Sequence, residues 1–68
     1  MKMTGKVLEY SEKNSLGYIE GLDGTVYMFH QVHVKNDTKL TKDDIVKFDF
    51  SLTEDENMPY AMDIEKRE

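Results

Sequence analysis

Apolar and polar residues alternate along most of this chain in short runs, and each run ends at a cluster of turn formers. Residues 45–52 are the clearest case. Val46, Phe48, Phe50 and Leu52 fall on one face, and Lys47, Asp49 and Ser51 on the other. That period of two belongs to a half-buried β-strand, whose successive side chains point to opposite sides of a sheet. Residues 2–10 mix β-formers with lysine and glutamate and predict a first strand, closed by the polar turn Ser11-Glu12-Lys13-Asn14-Ser15. Residues 16–20 and 26–30 predict a second and a third strand around Gly21-Leu22-Asp23-Gly24, and Asp-Gly between two β-rich runs is a strong hairpin signal. A polar connection over residues 33–42 leads through Thr41-Lys42-Asp43-Asp44 into the fourth strand. An acidic loop over residues 53–58 precedes a last strand over residues 59–64. Pro59 stands at its start, where a missing N–H is tolerated. Residues 65–68 are expected to fray.

Five short strands and no helical period in 68 residues predict a single all-β domain. Closing the sheet into a small barrel removes the exposed edges that invite aggregation, so a five-stranded antiparallel OB-type barrel and an SH3-like barrel are the candidates. A chain this short buries only about 60% of its unfolded surface, and with no cysteine it has no disulfide to reinforce a thin core. No apolar run approaches the ~20 residues that span a bilayer, and the first residues lack a signal-peptide core. A cytoplasmic protein without a membrane association is expected. An enzyme with its own buried pocket is not.

Charge changes the picture only in part. Nine basic residues against fourteen acidic ones leave a net charge of −5, which argues against gripping phosphates mainly by charge. The acidity is uneven, however. Residues 1–42 carry six lysines against five acids, and residues 43–68 carry three basic residues against nine acids. The acidity sits in the C-terminal third, which leaves room for a near-neutral face elsewhere but makes no strong cationic patch.

Gly5-Lys6-Val7 on the first strand, Leu16-Gly17-Tyr18-Ile19 on the second and Val26-Tyr27-Met28-Phe29-His30 on the third resemble the cold-shock domain. The ending, with Pro59, Ala61, Asp63 and Ile64, resembles that family's Gly-Pro-x-Ala-x-Asn-Val finish. The resemblance runs from about Thr4 to Ile64 and implies a five-stranded OB barrel. Members of that family bind single-stranded RNA and DNA on the outer face of strands one to three, often as RNA chaperones. Carried over residue by residue, the resemblance makes Tyr18, Tyr27, Phe29, His30 and Tyr10 candidate stacking residues and Lys6 a candidate phosphate contact, and Lys13 in the following turn is expected to add phosphate attraction. Gly17, between exposed side chains, would let a base or backbone come close.

Several positions depart from the family pattern. Glu9 occupies the place of the strand-one tryptophan, Leu8 and Asn14 replace lysines, and Leu16 replaces a phenylalanine. No aromatic stands near Asn36-Asp37-Thr38, and the loop carrying Glu54-Asp55-Glu56 has no arginine. The third strand admits two registers. One sets Val26 and Met28 inside and Tyr27 and Phe29 outside, and it is the preferred reading. Sliding by one residue sets His30 on the family histidine, turns Tyr27 and Phe29 inward with Thr25, and points Met28 outward.

These features predict weak, sequence-tolerant binding of single-stranded RNA or DNA by base stacking, with no cofactor. The alternative is an OB barrel that has lost most nucleic-acid binding and uses Leu8, Leu16, Tyr18 and Tyr27 as a protein-interaction patch. His30 and His33 do not form a metal site on this reading, because residues three apart in a strand face opposite ways and no third ligand is spaced nearby.

Overall fold

The computed structural model describes residues 2–51 and 59–67. Five strands follow in order: β1 (Met3–Ser11), β2 (Leu16–Gly21), β3 (Val26–His30), β4 (Ile45–Ser51) and β5 (Tyr60–Lys66). They close into a barrel in the order β1-β2-β3-β5-β4, the order of an OB-type barrel. Four of the five neighbouring pairs are antiparallel. The closure of β3 on β5 is parallel, with Met28 opposite Tyr60, so the barrel is not wholly antiparallel as expected. Leu52 and the acidic loop over residues 53–58 lie outside the described residues.

The turn between β2 and β3 shows how local chemistry fixes a hairpin. Gly24 adopts a φ of 83°, a region that costs glycine little. Asp23 Oδ1 accepts from the Thr25 N–H at 3.0 Å, and the Gly21 N–H donates to the Thr25 carbonyl at 2.9 Å. A second closure joins the β3–β4 connection to β1. There the Val7 N–H donates to the Asp44 carbonyl and the Asp43 N–H to the Val7 carbonyl, just where β1 bulges between Val7 and Glu9. A bulge of this kind bends the strand and re-aims its side chains.

The interior contains Val7, Ile19, Tyr27, Phe29, Val46, Phe48, Ala61 and Ile64, joined by Val34 and Leu40. The last two were not expected. They come from the connection read as polar, which forms two short 3₁₀ turns, Gln31–His33 and Lys35–Asp37. Both aliphatic residues are buried without belonging to any strand, and Val34 forms an isolated parallel bridge with Ile64 of β5. Phe50, at the end of β4, remains 38% exposed, although its ring lies 5.3 Å from that of Tyr27.

The chain end is not frayed as expected up to Arg67. Glu65 and Lys66 belong to β5, and the Arg67 N–H donates to the Ile45 carbonyl at 2.8 Å. Glu65 Oε1 also receives Lys35 Nζ at 2.9 Å and has Lys2 Nζ at 3.6 Å. Among the described residues no helix is long and apolar enough to cross a membrane.

Candidate functional site

The third strand adopts the slipped register. Tyr27 is 1% exposed and Phe29 is fully buried, whereas Val26, Met28 and His30 point outward. The preference for Tyr27 and Phe29 as exposed stacking rings is therefore corrected, and the protein patch of Leu8, Leu16, Tyr18 and Tyr27 loses its fourth member. The physical cause lies on β2. Gly17 faces Phe29 across the sheet, and its missing side chain is the space that ring fills. A Cβ there would sit 2.6 Å from Phe29 Cε1 and Cζ. Gly17 is thus an inward residue that admits a core ring, not an outward one that admits a ligand.

Tyr27 completes the core with its hydroxyl satisfied. The O–H donates to Asp23 Oδ2 at 2.9 Å, and the ring meets Phe48 edge-on at 5.1 Å between centroids. Burial pushes the Tyr27 phenol pKa up, and the neighbouring Asp23 carboxylate adds to the rise. The Asp23 carboxyl is held below its ordinary value, first by the Thr25 N–H and then by the Tyr27 hydroxyl.

Tyr10 is half-buried on the inner side of β1, opposite Gly17, with its ring parallel to Phe29 at 5.9 Å. Lys13 is exposed in the turn before β2. Lys6 is exposed on the outer face opposite Glu20, and its Nζ lies 4.0 Å from Asp43 Oδ1.

What remains outward is ordered in rows. Because paired residues project to the same side of a sheet, Glu9, Tyr18, Met28 and Tyr60 form one row across β1, β2, β3 and β5. Ser11, Leu16 and His30 form the next. Tyr18, Leu16, Met28 and Tyr60 are half-buried and His30 is exposed. Adjacent strands lie about 4.8 Å apart, so the two tyrosines flank Met28 at about 10 Å from each other. Met28 and Tyr60 were absent from the expected site. Their signals were the slipped register and the position between Pro59 and the inward Ala61.

The expected set is therefore split. Tyr18 and His30 share the face, Lys6 and Lys13 lie beside it, Tyr10 sits at its inner margin, and Tyr27 and Phe29 support it from beneath. Two carboxylates, Glu9 and Glu20, stand on the same surface. Among the described residues no group of three or more His, Asp or Glu side chains is placed to hold a metal ion. The chain matches no model of a known protein family, and no curated protein matches its sequence.

Proposed function

We propose that this barrel binds single-stranded RNA or DNA weakly and with little sequence preference, on the outer face of β1, β2 and β3, in the manner of a cold-shock domain. The observation that supports this reading most is that Tyr18 on β2 and His30 on β3, two flat rings, lie on one surface, with Met28 paired to Tyr18 and two residues before His30. Every base has a π-face, so rings held on a rigid sheet attract unpaired bases without reading their edges. The thioether of Met28 adds a polarisable surface that suits aromatic rings. The slipped register favours the same reading, since it puts His30 at the position of the family histidine.

Affinity is low for stated reasons. Base stacking contributes about 1–3 kcal/mol per ring, and Tyr27 and Phe29 contribute none from inside the core. Lys6 and Lys13 lie beside the face in a chain with nine basic residues against fourteen acidic ones, so salt dependence is shallow. The direct test is a titration of the protein with oligo-dT and a mixed-sequence RNA at low salt, followed by backbone and side-chain chemical shifts. Shifts concentrated on Leu16, Tyr18, Met28 and His30 are expected. Unchanged spectra at high micromolar oligonucleotide defeat the proposal.

A second reading is favoured by one observation: Leu8, Leu16 and Met28 make the same face partly apolar, beside Glu9. On that reading the surface takes a protein partner. Loss of complex formation by a Leu16→Asp variant, with no oligonucleotide bound by the parent protein, supports it over the first.

A further inference from the structure

At the end of the barrel beside the outer face lies a cleft of about 310 Å³, lined by Tyr10, Glu12, Ser15, Gln31, Asp37 and Lys39. Its size is at the lower end of that of small-ligand sites. Gln31 holds its two walls together. The Gln31 N–H donates to the Ser15 carbonyl at 3.0 Å, and Nε2 donates to the Thr38 carbonyl at 2.8 Å. The cleft is thus bounded by the β1–β2 turn on one side and the 3₁₀ connection on the other.

Three properties define what fits. The first is a ring: Tyr10, stacked in parallel on the buried Phe29, also lines the cleft. A planar group entering here extends a stack that begins in the core. The second is an excess of acceptors. Glu12 and Asp37 carry carboxylates, which accept hydrogen bonds and donate none. The third is Gln31 Oε1, a buried oxygen with no hydrogen-bond partner among the described residues. Buried polar atoms normally have partners, so a ligand donor that reaches this oxygen satisfies it while Nε2 keeps its bond to the Thr38 carbonyl. Lys39 Nζ, 3.8 Å from Glu12 Oε1, stands at the rim as a cation.

We infer that this cleft takes the Watson–Crick edge of a guanine in an unpaired strand. The inference rests on the function proposed above and adds a base preference to it. Guanine presents N1–H and N2–H₂ side by side, two donors that one carboxylate accepts together, with its single carbonyl, O6, at the far end of the edge. Uracil and thymine present a single N–H flanked by carbonyls, and those carbonyls face repulsion from Glu12 and Asp37. Adenine and cytosine offer one exocyclic amine beside a ring nitrogen that is itself an acceptor. Lys39 would lie near the phosphate or sugar of the same nucleotide.

The test compares labelled heptamers by fluorescence anisotropy at low salt: all-uridine, and the same strand with a central guanosine, inosine, adenosine or cytidine. Guanosine is expected to bind roughly tenfold tighter than uridine. Inosine, which lacks only the N2 amine, should fall between them. The Gln31 side-chain amide resonance should move with the guanosine strand, less with inosine and not with uridine, and Asp37→Asn should erase the preference by weakening guanosine binding without weakening uridine binding. Equal affinity for all five strands overturns the guanine assignment and leaves the general binding intact. Absence of binding by every strand overturns both.

Discussion

Phe29 and Gly17 face each other across β2 and β3, and the ring occupies the volume that any side chain at position 17 would need. A methyl group there would also come within 2.8 Å of the Glu9 carbonyl, so neither the ring nor the backbone can give way cheaply. Gly17→Ala is therefore expected to destabilise the fold by about 1–3 kcal/mol through overpacking. Domains of this size are stable by only a few kcal/mol, so the change should appear as a large drop in urea midpoint. An unchanged midpoint would mean that Phe29 does not occupy the interior.

Tyr27 gives the complementary test of register. As a core ring it should cost about 3–5 kcal/mol when cut back to alanine, enough to unfold the chain. Tyr27→Phe removes only the hydroxyl bond to Asp23 and should lower the denaturation midpoint by a smaller amount while leaving oligonucleotide affinity unchanged. Tyr18→Ala should do the reverse, weakening binding by about 1–3 kcal/mol with a nearly unaltered midpoint. Thermal or urea unfolding of the three variants, set beside their binding isotherms, checks the face assignment.

Much of the barrel was legible in the alternation of residues. The strand β3 is bounded as the pattern predicts, and β4 buries Val46 and Phe48 as its period of two requires. What alternation could not decide was the face of β3, because Val26-Tyr27-Met28-Phe29 is apolar at every position and either set can go inside. The deciding information was distributed over another strand. Gly17 is an inward position with no side chain, and a large ring must fill it. Val34 and Leu40 were hidden for a related reason: single aliphatic residues in a polar stretch carry no period, although both join the core. Tyr60 reaches the outer face only through the parallel closure of β5 on β3, a pairing distant in sequence.

Stability should fall on acidification, and the sign follows from three carboxyl groups. Asp23 is held below its ordinary value of 3.8 by the Thr25 N–H and the Tyr27 hydroxyl. Asp44 is held below the same value by the Thr41 N–H first, and then by Lys66. Glu65 is held below 4.5 by the Lys35 hydrogen bond and the Lys2 charge. A carboxyl whose folded pKa is depressed binds fewer protons than the unfolded chain does. Its contribution is present above the unfolded pKa and is lost as pH falls through the folded one. Urea midpoints should hold from neutrality to near the ordinary carboxyl range and then decline below it. Asp23→Asn should be less stable at neutrality and show a shallower acid decline. At the alkaline end the signs reverse. The Lys35 pKa is raised by Glu65, and the Tyr27 pKa by burial. Both contributions are complete below the ordinary values of 10.5 and 10.0 and disappear as pH rises through the raised ones.

Glu9 offers the sharpest test of what the outer face does, because it is the direct neighbour of Tyr18 in the row that continues through Met28 to Tyr60. Its carboxylate repels phosphates and supplies no stacking surface, so it limits affinity in two ways. Glu9→Trp removes the charge and adds a ring beside Tyr18. Since Glu9 is exposed, the fold should tolerate the change with a midpoint shift of about 0.5 kcal/mol or less. If the surface is a stacking platform, oligonucleotide affinity should rise at least about tenfold, the equivalent of roughly 1.4 kcal/mol. Glu9→Gln separates the two contributions, since it removes only the charge and should give a smaller gain that shrinks as salt is added. No gain from either variant, in a protein that still unfolds at the parent midpoint, would mean that bases do not approach this face, and that its leucine and methionine side chains serve a protein partner instead.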